Sequence, residues 1–260
     1  MSVLEGLKQT RNLRDVGDLS NDFGLQVRSG RLFRMGKLYG FSKEEMTVIR
    51  TLGVSDIIDL RSESERKAQP DPPIEGIENH HIDMSAGKLG LDHVISIYRE
   101  AAENPGTVDA HEYILESYRE LPQQCTEEVY RCIELITSKP EGVYLIHCAG
   151  GKDRTGFLTA TILGAVGVPD EGILHDFLRS KKSAQEDAQI LERYLKRFRD
   201  SFGIEIPPEV AAPFLTVSEE ALLGMLELVK HSYGGFLPYM RKGVGISEKQ
   251  MQILSDWLTE

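Results

Sequence analysis

Residues 141–167, EGVYLIHCAGGKDRTGFLTATILGAVG, decide the fold. The first part, 141–147, is short and apolar, which predicts a buried strand. The last part, 156–167, is an apolar run of helical length. Two glycines stand between these segments and permit backbone conformations that other residues resist. We therefore expect a strand, a tight loop and a buried helix in direct succession.

The loop between them, 147–156 (HCAGGKDRTG), is called the cysteine loop below. A loop curled at a helix N-terminus points backbone N–H groups at one place, and the helix dipole adds positive potential there. Five residues separate Cys148 from Arg154, so the guanidinium can face the sulfur. The guanidinium fork matches two phosphate oxygens, and the same groups would stabilise a thiolate.

This arrangement predicts phosphoryl transfer to the sulfur of Cys148, followed by hydrolysis of the cysteinyl-phosphate. The anion held by the loop would be a phosphate or a phosphate-like group. The chemistry requires no metal, and we predict no metal and no cofactor.

The rest of the chain indicates an α/β protein. Residues 54–60 (VSDIIDL) predict a second buried strand, which follows a helix that begins at the Ser42–Glu45 capping box. We also expect a strand at 79–84, a short hairpin at 26–38 and mostly loop at 63–78. Strands dominate early and helices late. We therefore predict one domain, 1–260, with a central, mostly parallel sheet flanked by helices and a helical C-terminal part from about 170 to 260.

Composition narrows the function classes. The chain of 260 residues carries a formal net charge of −11, which disfavours a broad nucleic-acid-binding surface. No apolar stretch is long enough for a membrane span, and the N-terminus has no apolar signal-peptide core. The three cysteines have no regular spacing, which favours a reducing compartment. We expect a cytoplasmic protein.

The spacing His147-Cys148, five residues, Arg154-Thr155-Gly156 resembles the signature of the cysteine-dependent protein tyrosine phosphatase superfamily. The form Gly-Lys-Asp-Arg-Thr is similar to a bacterial and fungal branch that includes tyrosine phosphatases with overlapping lipid-phosphatase activity. Further blocks that resemble this branch are 12–17 (NLRDVG), 29–38 (SGRLFRMGKL), 57–65 (IIDLRSESE) and 233–258. The resemblance covers nearly the whole chain and implies a tyrosine-phosphatase-like fold.

Residue roles follow from the loop and from this resemblance. The residues expected to bind phosphate are Ala149, Gly150, Gly151, Lys152, Asp153, Arg154 and Thr155. The resemblance implies that Lys152 contacts further phosphate groups of a lipid substrate. Thr155 could donate a hydrogen bond to the leaving sulfur or could simply start the helix. We expect His147 to hold the loop in shape, and Arg14 to form a supporting ion pair with Asp15 or to lie in a surface turn.

The sequence does not decide which residue is the general acid. The Trp-Pro-Asp loop of the classical tyrosine phosphatases has no counterpart, since the one tryptophan, Trp257, is not followed by Pro-Asp. The candidates are Asp153 first and Asp83 second, while Asp59, which we expect to be structural, comes third.

Several functional alternatives also stay open. The leading substrate is a phosphotyrosine protein, and a phosphoinositide is the runner-up because of Lys152. An inactive phosphate-binding module is a second class. A sulfur-transfer enzyme of the rhodanese kind ranks last because its loop usually lacks the Arg-Thr-Gly ending. The charged stretch 180–202 has a solvated helix face or forms part of a helical lid over the cysteine loop.

Overall fold

The computed structural model describes residues 2–85, 89–180 and 188–260. Its sheet has five strands in the order β1-β2-β5-β3-β4. They are β1 (Arg14–Asp15), β2 (Leu32–Met35), β3 (Asp56–Asp59), β4 (Glu78–His81) and β5 (Tyr144–His147). Strands β2, β5, β3 and β4 run parallel, and β1 pairs antiparallel with β2. The mostly parallel sheet predicted from the sequence is confirmed.

Helices surround this sheet. The helices of the first half are α1 (Val3–Arg11), α2 (Lys43–Thr51), α3 (Glu63–Ala68), α4 (Leu91–Glu103), α5 (Ala110–Gln124) and α6 (Thr126–Ser138). The helices of the second half are α7 (Asp153–Ala165), α8 (Asp170–Leu178), α9 (Ala188–Phe202), α10 (Pro208–Leu215), α11 (Glu219–Tyr233), α12 (Phe236–Pro238), a π-helix (Tyr239–Val244) and α13 (Glu248–Leu258). Apart from β-bridges at Ser20 with Gln26 and Val27 with Thr259, the described residues form no other strand pairing.

Side chains that alternate along the strands divide the core into two layers. Ile57 and Leu145 join the apolar cluster that contains α1 and α2. Ile58 and Ile146, the next residues, join the cluster that contains α5, α6, α7 and α11. Successive side chains of a strand point to opposite faces of a sheet. Both faces are therefore covered by helices, which explains why consecutive residues at the centre of each strand, Ile57-Ile58 in β3 and Leu145-Ile146 in β5, are apolar.

A third apolar cluster packs α9 and α10 against α4. Phe198 of α9 and Val210 of α10 pack with Tyr98 of α4, and the ring of Tyr98 meets that of Phe198 edge-on at 5.1 Å. This cluster fixes where α9 lies. No helix in the described part of the chain has both the length and the apolar character of a bilayer span.

One local prediction needs correction and another gains detail. The hairpin expected at 26–38 is wrong, because β2 is the one strand in this segment and it pairs with β1 and β5. The segment 63–78 is mostly loop, as predicted, but it begins with α3, where Ser62 and Glu65 form a complete capping box.

Candidate active site

The cysteine loop follows β5, the central strand of the sheet. Strand β5 lies between β2 and β3 and ends at His147, and α7 begins at Asp153. The succession of strand, loop and helix predicted from the sequence is confirmed, although the helix begins three residues earlier than expected. Cys148 is buried, with 3% of its surface exposed, so substrate can reach it only through an opening formed by the surrounding elements.

Two side chains tie the Gly151 carbonyl to the outside of the loop. Asn12 Nδ2 and Arg34 Nη2 each donate a hydrogen bond of 2.9 Å to this oxygen. In a trans peptide the C=O and the following N–H point in opposite directions, and the chain has no cis peptide. The N–H of Lys152 therefore points away from these two donors, toward the inside of the loop.

The same pattern occurs at the start of the loop. The backbone N–H of Lys37, just past the end of β2, donates to the Ala149 carbonyl at 3.1 Å, which directs the N–H of Gly150 inward. Within the described residues no hydrogen bond uses the N–H groups of 149–152. The first turn of α7 adds N–H groups that have no intrahelical acceptor. The loop therefore offers a set of unpaired donors to an anion.

Gly151 is required where β2 meets the loop. Its φ is +68°, and a Cβ there would lie 2.3 Å from the Met35 carbonyl. Any side chain would therefore separate the loop from β2 and disturb both carbonyl anchors.

Arg154 is held by a carboxylate from α3. Its Nη1 and Nη2 donate to the two carboxylate oxygens of Glu65 at 2.6 and 2.8 Å. Burial alone would raise the pKa of Glu65, but the hydrogen bonds and charge of Arg154 outweigh burial and lower it. Burial alone would lower the pKa of Arg154, but Glu65 outweighs it and raises that pKa. The guanidinium is thus permanently charged and fixed in orientation.

A cleft of about 680 Å³ opens over the loop. The loop residues that line it are Cys148, Ala149, Gly150, Lys152, Asp153 and Arg154. Its opposite wall includes Ile190, Arg193, Tyr194 and Arg197 of α9. The cleft therefore brings the predicted nucleophile and phosphate-binding residues together, with α9 above them.

The candidate acids lie in different environments. Asp153 borders the cleft and accepts a hydrogen bond of 2.8 Å from the Tyr118 hydroxyl. Asp83 lies outside the residues that line the cleft, and its carboxylate accepts from the backbone N–H of Ser85 at 2.9 Å. Asp59 is buried in a two-point ion pair with Arg61. The geometry favours Asp153, and Asp59 is placed as a structural residue.

The structure shows which groups surround the Lys152 amine and the Thr155 hydroxyl, and the sequence did not predict these contacts. Lys152 Nζ donates to the Thr216 carbonyl at 2.6 Å and lies 3.4 Å from Asp153. The Thr155 hydroxyl is buried and has no hydrogen-bond partner among the described residues. The two predicted alternatives for Thr155, a hydrogen bond to the leaving sulfur or a helix-start residue, stay open, and its hydroxyl lies in the first turn of α7.

His147 is fully buried beside two carboxylates. Its Nε2 lies 3.1 Å from Asp71 and 3.7 Å from Asp59, and its Nδ1 lies 3.3 Å from the Cys148 carbonyl. These contacts link the base of the loop to β3. They fit the predicted role of His147 in holding the loop.

A buried ion cluster lies behind the loop. Asp176 of α8 receives Arg14 Nε at 2.7 Å and Arg34 Nη1 at 2.6 Å, and Arg34 in turn holds the Gly151 carbonyl. The pairing of Arg14 with Asp15 is therefore wrong, since Asp15 accepts from the backbone N–H groups of Gly17 and Gly30 instead. Arg14 is buried rather than part of a surface turn, and its role in supporting the site stays a prediction.

Sequence reasoning missed the residues that support this site from distant segments. They are Lys37, Glu65, Tyr118, Asp176 and the cleft-facing residues of α9. The capping-box spacing of Ser62 and Glu65 was the one available signal, and it indicates a helix start rather than a partner for Arg154. The predicted lid falls partly on 181–187, which lie outside the described residues, while 188–202 form α9 above the cleft.

Comparisons with known proteins identify the family of the chain. The family model described as "Tyrosine phosphatase family" matches residues 6–260. A protein of Cupriavidus necator assigned as a tyrosine-protein phosphatase is 29% identical over 243 residues, which cover 93% of this chain and 84% of that protein. The triple specificity protein phosphatase PtpB of Mycobacterium tuberculosis is 29% identical over 265 residues, covering 91% and 92%. The crystal structure of TpbA from P. aeruginosa is similar over 72% of this chain and 89% of its own, at 17% identity and a TM-score of 0.32.

Asp176→Asn should destabilise the protein by about 3–5 kcal/mol, because it leaves two buried guanidinium groups without a counter-charge. Burial alone would raise the pKa of Asp176, but Arg34 and Arg14 outweigh it and lower the pKa from 3.8 to about 2. A depressed carboxylate pKa stabilises the fold at neutral pH, and this contribution is lost as pH falls from about 4 to 2. Urea unfolding from pH 7 to pH 2 measures both effects.

Asp15→Asn is the matched control, since Asp15 has no arginine partner within the described residues. The wild-type protein should lose stability below pH 4 more steeply than Asp176→Asn. Equal stabilities of wild type and Asp176→Asn at neutral pH would contradict the role assigned to this cluster.

Proposed function

The chain belongs to the tyrosine phosphatase family and is a phosphoric monoester hydrolase, and on that premise we propose that it dephosphorylates phosphotyrosine in proteins with Cys148 as the nucleophile. The observation that carries the proposal is the buried thiol of Cys148 inside a loop of unpaired N–H groups, beside Arg154. These groups bind the three non-bridging oxygens of a phosphate monoester.

The reaction has two displacements. In the first, the Cys148 thiolate attacks phosphorus, the bond to the tyrosine oxygen breaks, and Asp153 gives its proton to that oxygen. In the second, Asp153 takes a proton from water, the oxygen attacks phosphorus, and the S–P bond breaks to release phosphate and the thiolate. Arg154 and the loop amides hold the equatorial oxygens throughout.

Tyr118 supports the assignment of Asp153. Its hydroxyl donates to Asp153 at 2.8 Å. Burial is the main cause that raises the pKa of Tyr118 well above its ordinary value. The hydroxyl therefore stays protonated and keeps the carboxylate in one orientation over the whole range of pH in which the reaction runs.

The cleft favours an aryl phosphate. Leu91, Val94, Tyr194 and Phe214 line it above the loop, and these side chains suit a phenyl ring. Phosphoinositide hydrolysis is the second candidate, and a relative named as a triple specificity protein phosphatase supports testing more than one substrate class. We also propose a cytoplasmic location, which the three free cysteines favour.

Cys148→Ser should abolish hydrolysis of p-nitrophenyl phosphate in the presence of a chelator, because the serine hydroxyl is a far weaker nucleophile at neutral pH. Cys132→Ser, at a buried cysteine of α6, is the matched control and should retain turnover if folded. A chain with no turnover, or with turnover that Cys148→Ser leaves intact, would be a phosphate-binding module or a different enzyme.

Asp153→Asn should slow the hydrolysis of a phosphotyrosine peptide by about 10²–10⁴-fold, which is the usual contribution of general acid catalysis. The substitution should slow the hydrolysis of an aryl phosphate with a good leaving group much less, because that leaving group departs without receiving a proton. Rate constants for both substrates in Asp153→Asn and Asp83→Asn separate the candidates. Equal losses on both substrates in Asp153→Asn would refute its role as the acid.

A panel of phosphotyrosine, phosphoserine and phosphothreonine peptides alongside phosphoinositides ranks the substrate classes. We expect phosphotyrosine peptides to have the highest kcat/KM. A phosphoinositide that exceeds them would reverse the order of the two proposed substrates.

A further inference from the structure

A second cavity of about 440 Å³ adjoins the cleft over Cys148 and is called the side cavity here. The two spaces share the wall residues Lys37, Glu65, Leu91, Ala149, Tyr194 and Arg197. A molecule with its phosphate in the cysteine loop can therefore extend past Lys37 and Arg197 into the side cavity.

Positive charge in this wall lacks a counter-charge. Lys37 Nζ donates to the neutral Gln69 Oε1 at 2.5 Å, and Arg197 forms no hydrogen bond or ion pair with any described residue. The other ionic groups of the side cavity are already used, since Arg61 pairs with Asp59 and Asp71, and Glu65 pairs with Arg154. Two cations thus face the cavity with no acidic partner.

The position of Lys37 makes its charge sensitive to an anion. Burial first, and then the charges of Arg197, Arg11 and Arg61, lower the pKa of Lys37 to about 8, while Glu65 acts in the opposite direction. These groups come from α9, α1, the end of β3 and α3. An anion bound beside Lys37 would remove much of this repulsion and favour the protonated amine.

Apolar side chains form part of the wall of the side cavity. Leu91, Tyr194, Phe198 and Phe202 contribute to this wall, together with the polar side chains of Gln69 and Ser201. The aromatic and aliphatic part of the wall suits an aryl group and an aliphatic linker. This favours a peptide side chain as the occupant.

We propose that the side cavity is a subsite in which Lys37 and Arg197 bind an acidic or phosphorylated side chain next to the phosphotyrosine of a peptide substrate. The proposal rests on the function proposed above. It defines the preferred substrate as a phosphotyrosyl peptide with a second anionic group.

The test compares two phosphotyrosine peptides that differ only in carrying Glu or Gln beside the phosphotyrosine. Wild-type protein should prefer the acidic peptide about tenfold in kcat/KM, the size expected of one hydrogen bond between charged groups. Lys37→Gln and Arg197→Gln should each reduce this ratio toward one. Arg199→Gln, on the same helix but away from both cavities, should keep the wild-type ratio.

Binding to the Cys148→Ser protein gives a readout that is independent of turnover. Its affinity for the acidic peptide should exceed that for the neutral peptide by a similar factor, and Arg197→Gln in this background should remove the difference. Equal hydrolysis of the two peptides by wild-type protein would overturn the subsite and leave the proposed function standing. Failure to hydrolyse any phosphotyrosine peptide would instead refute the proposed function.

An inositol polyphosphate that is preferred over the acidic peptide, with a preference lost in Lys37→Gln, would overturn the assignment to peptides. The preference for the acidic peptide should also decline between pH 7 and pH 9, because Lys37 loses its charge as pH rises through about 8. The ratio in Lys37→Gln should stay constant over this range. A wild-type ratio that is equally constant would contradict the role of Lys37.

Discussion

The outward anchoring of the loop carbonyls is the constraint on which the site depends. Asn12 and Arg34 hold the Gly151 carbonyl, and the backbone of Lys37 holds that of Ala149. Each anchor turns the next N–H toward the inside of the loop. The absence of a side chain at Gly151 lets β2 approach closely enough to provide these anchors. The inward direction of the loop N–H groups is thus set by residues outside the loop.

Buried carboxylates hold several positively charged side chains next to the cysteine loop, although the chain as a whole is acidic. Glu65 orients Arg154 from one side, and Asp176 balances Arg14 and Arg34 behind the loop. Each of these three cations therefore has a buried carboxylate partner, although Arg14 and Arg34 share one. Lys37 and Arg197 differ, because no carboxylate among the described residues pairs with them. The presence of a carboxylate partner thus distinguishes Arg154, the proposed phosphate-binding arginine, from the two cations proposed to bind a second anion.

The sequence was informative wherever the signal was local. The apolar runs before and after the cysteine loop predicted β5 and α7, and the spacing of Cys148 and Arg154 predicted the anion site, because both depend on neighbouring residues. The partners of these groups come from other segments: Asp176 lies on α8 and Tyr118 on α5. The hairpin at 26–38 was wrong for the same reason, since the pairing of β2 with β5 joins residues more than a hundred positions apart.

The measurement that tests the central claim most directly is the identification of the covalent intermediate. Wild-type protein is mixed with a phosphotyrosine peptide, quenched in acid within milliseconds and digested, and the site of phosphate attachment is located by mass spectrometry. The account predicts phosphate on the sulfur of Cys148, with the adduct retained longer in Asp153→Asn because water is then activated more slowly. Phosphate on another residue, or rapid turnover without any enzyme-bound phosphate, would contradict it.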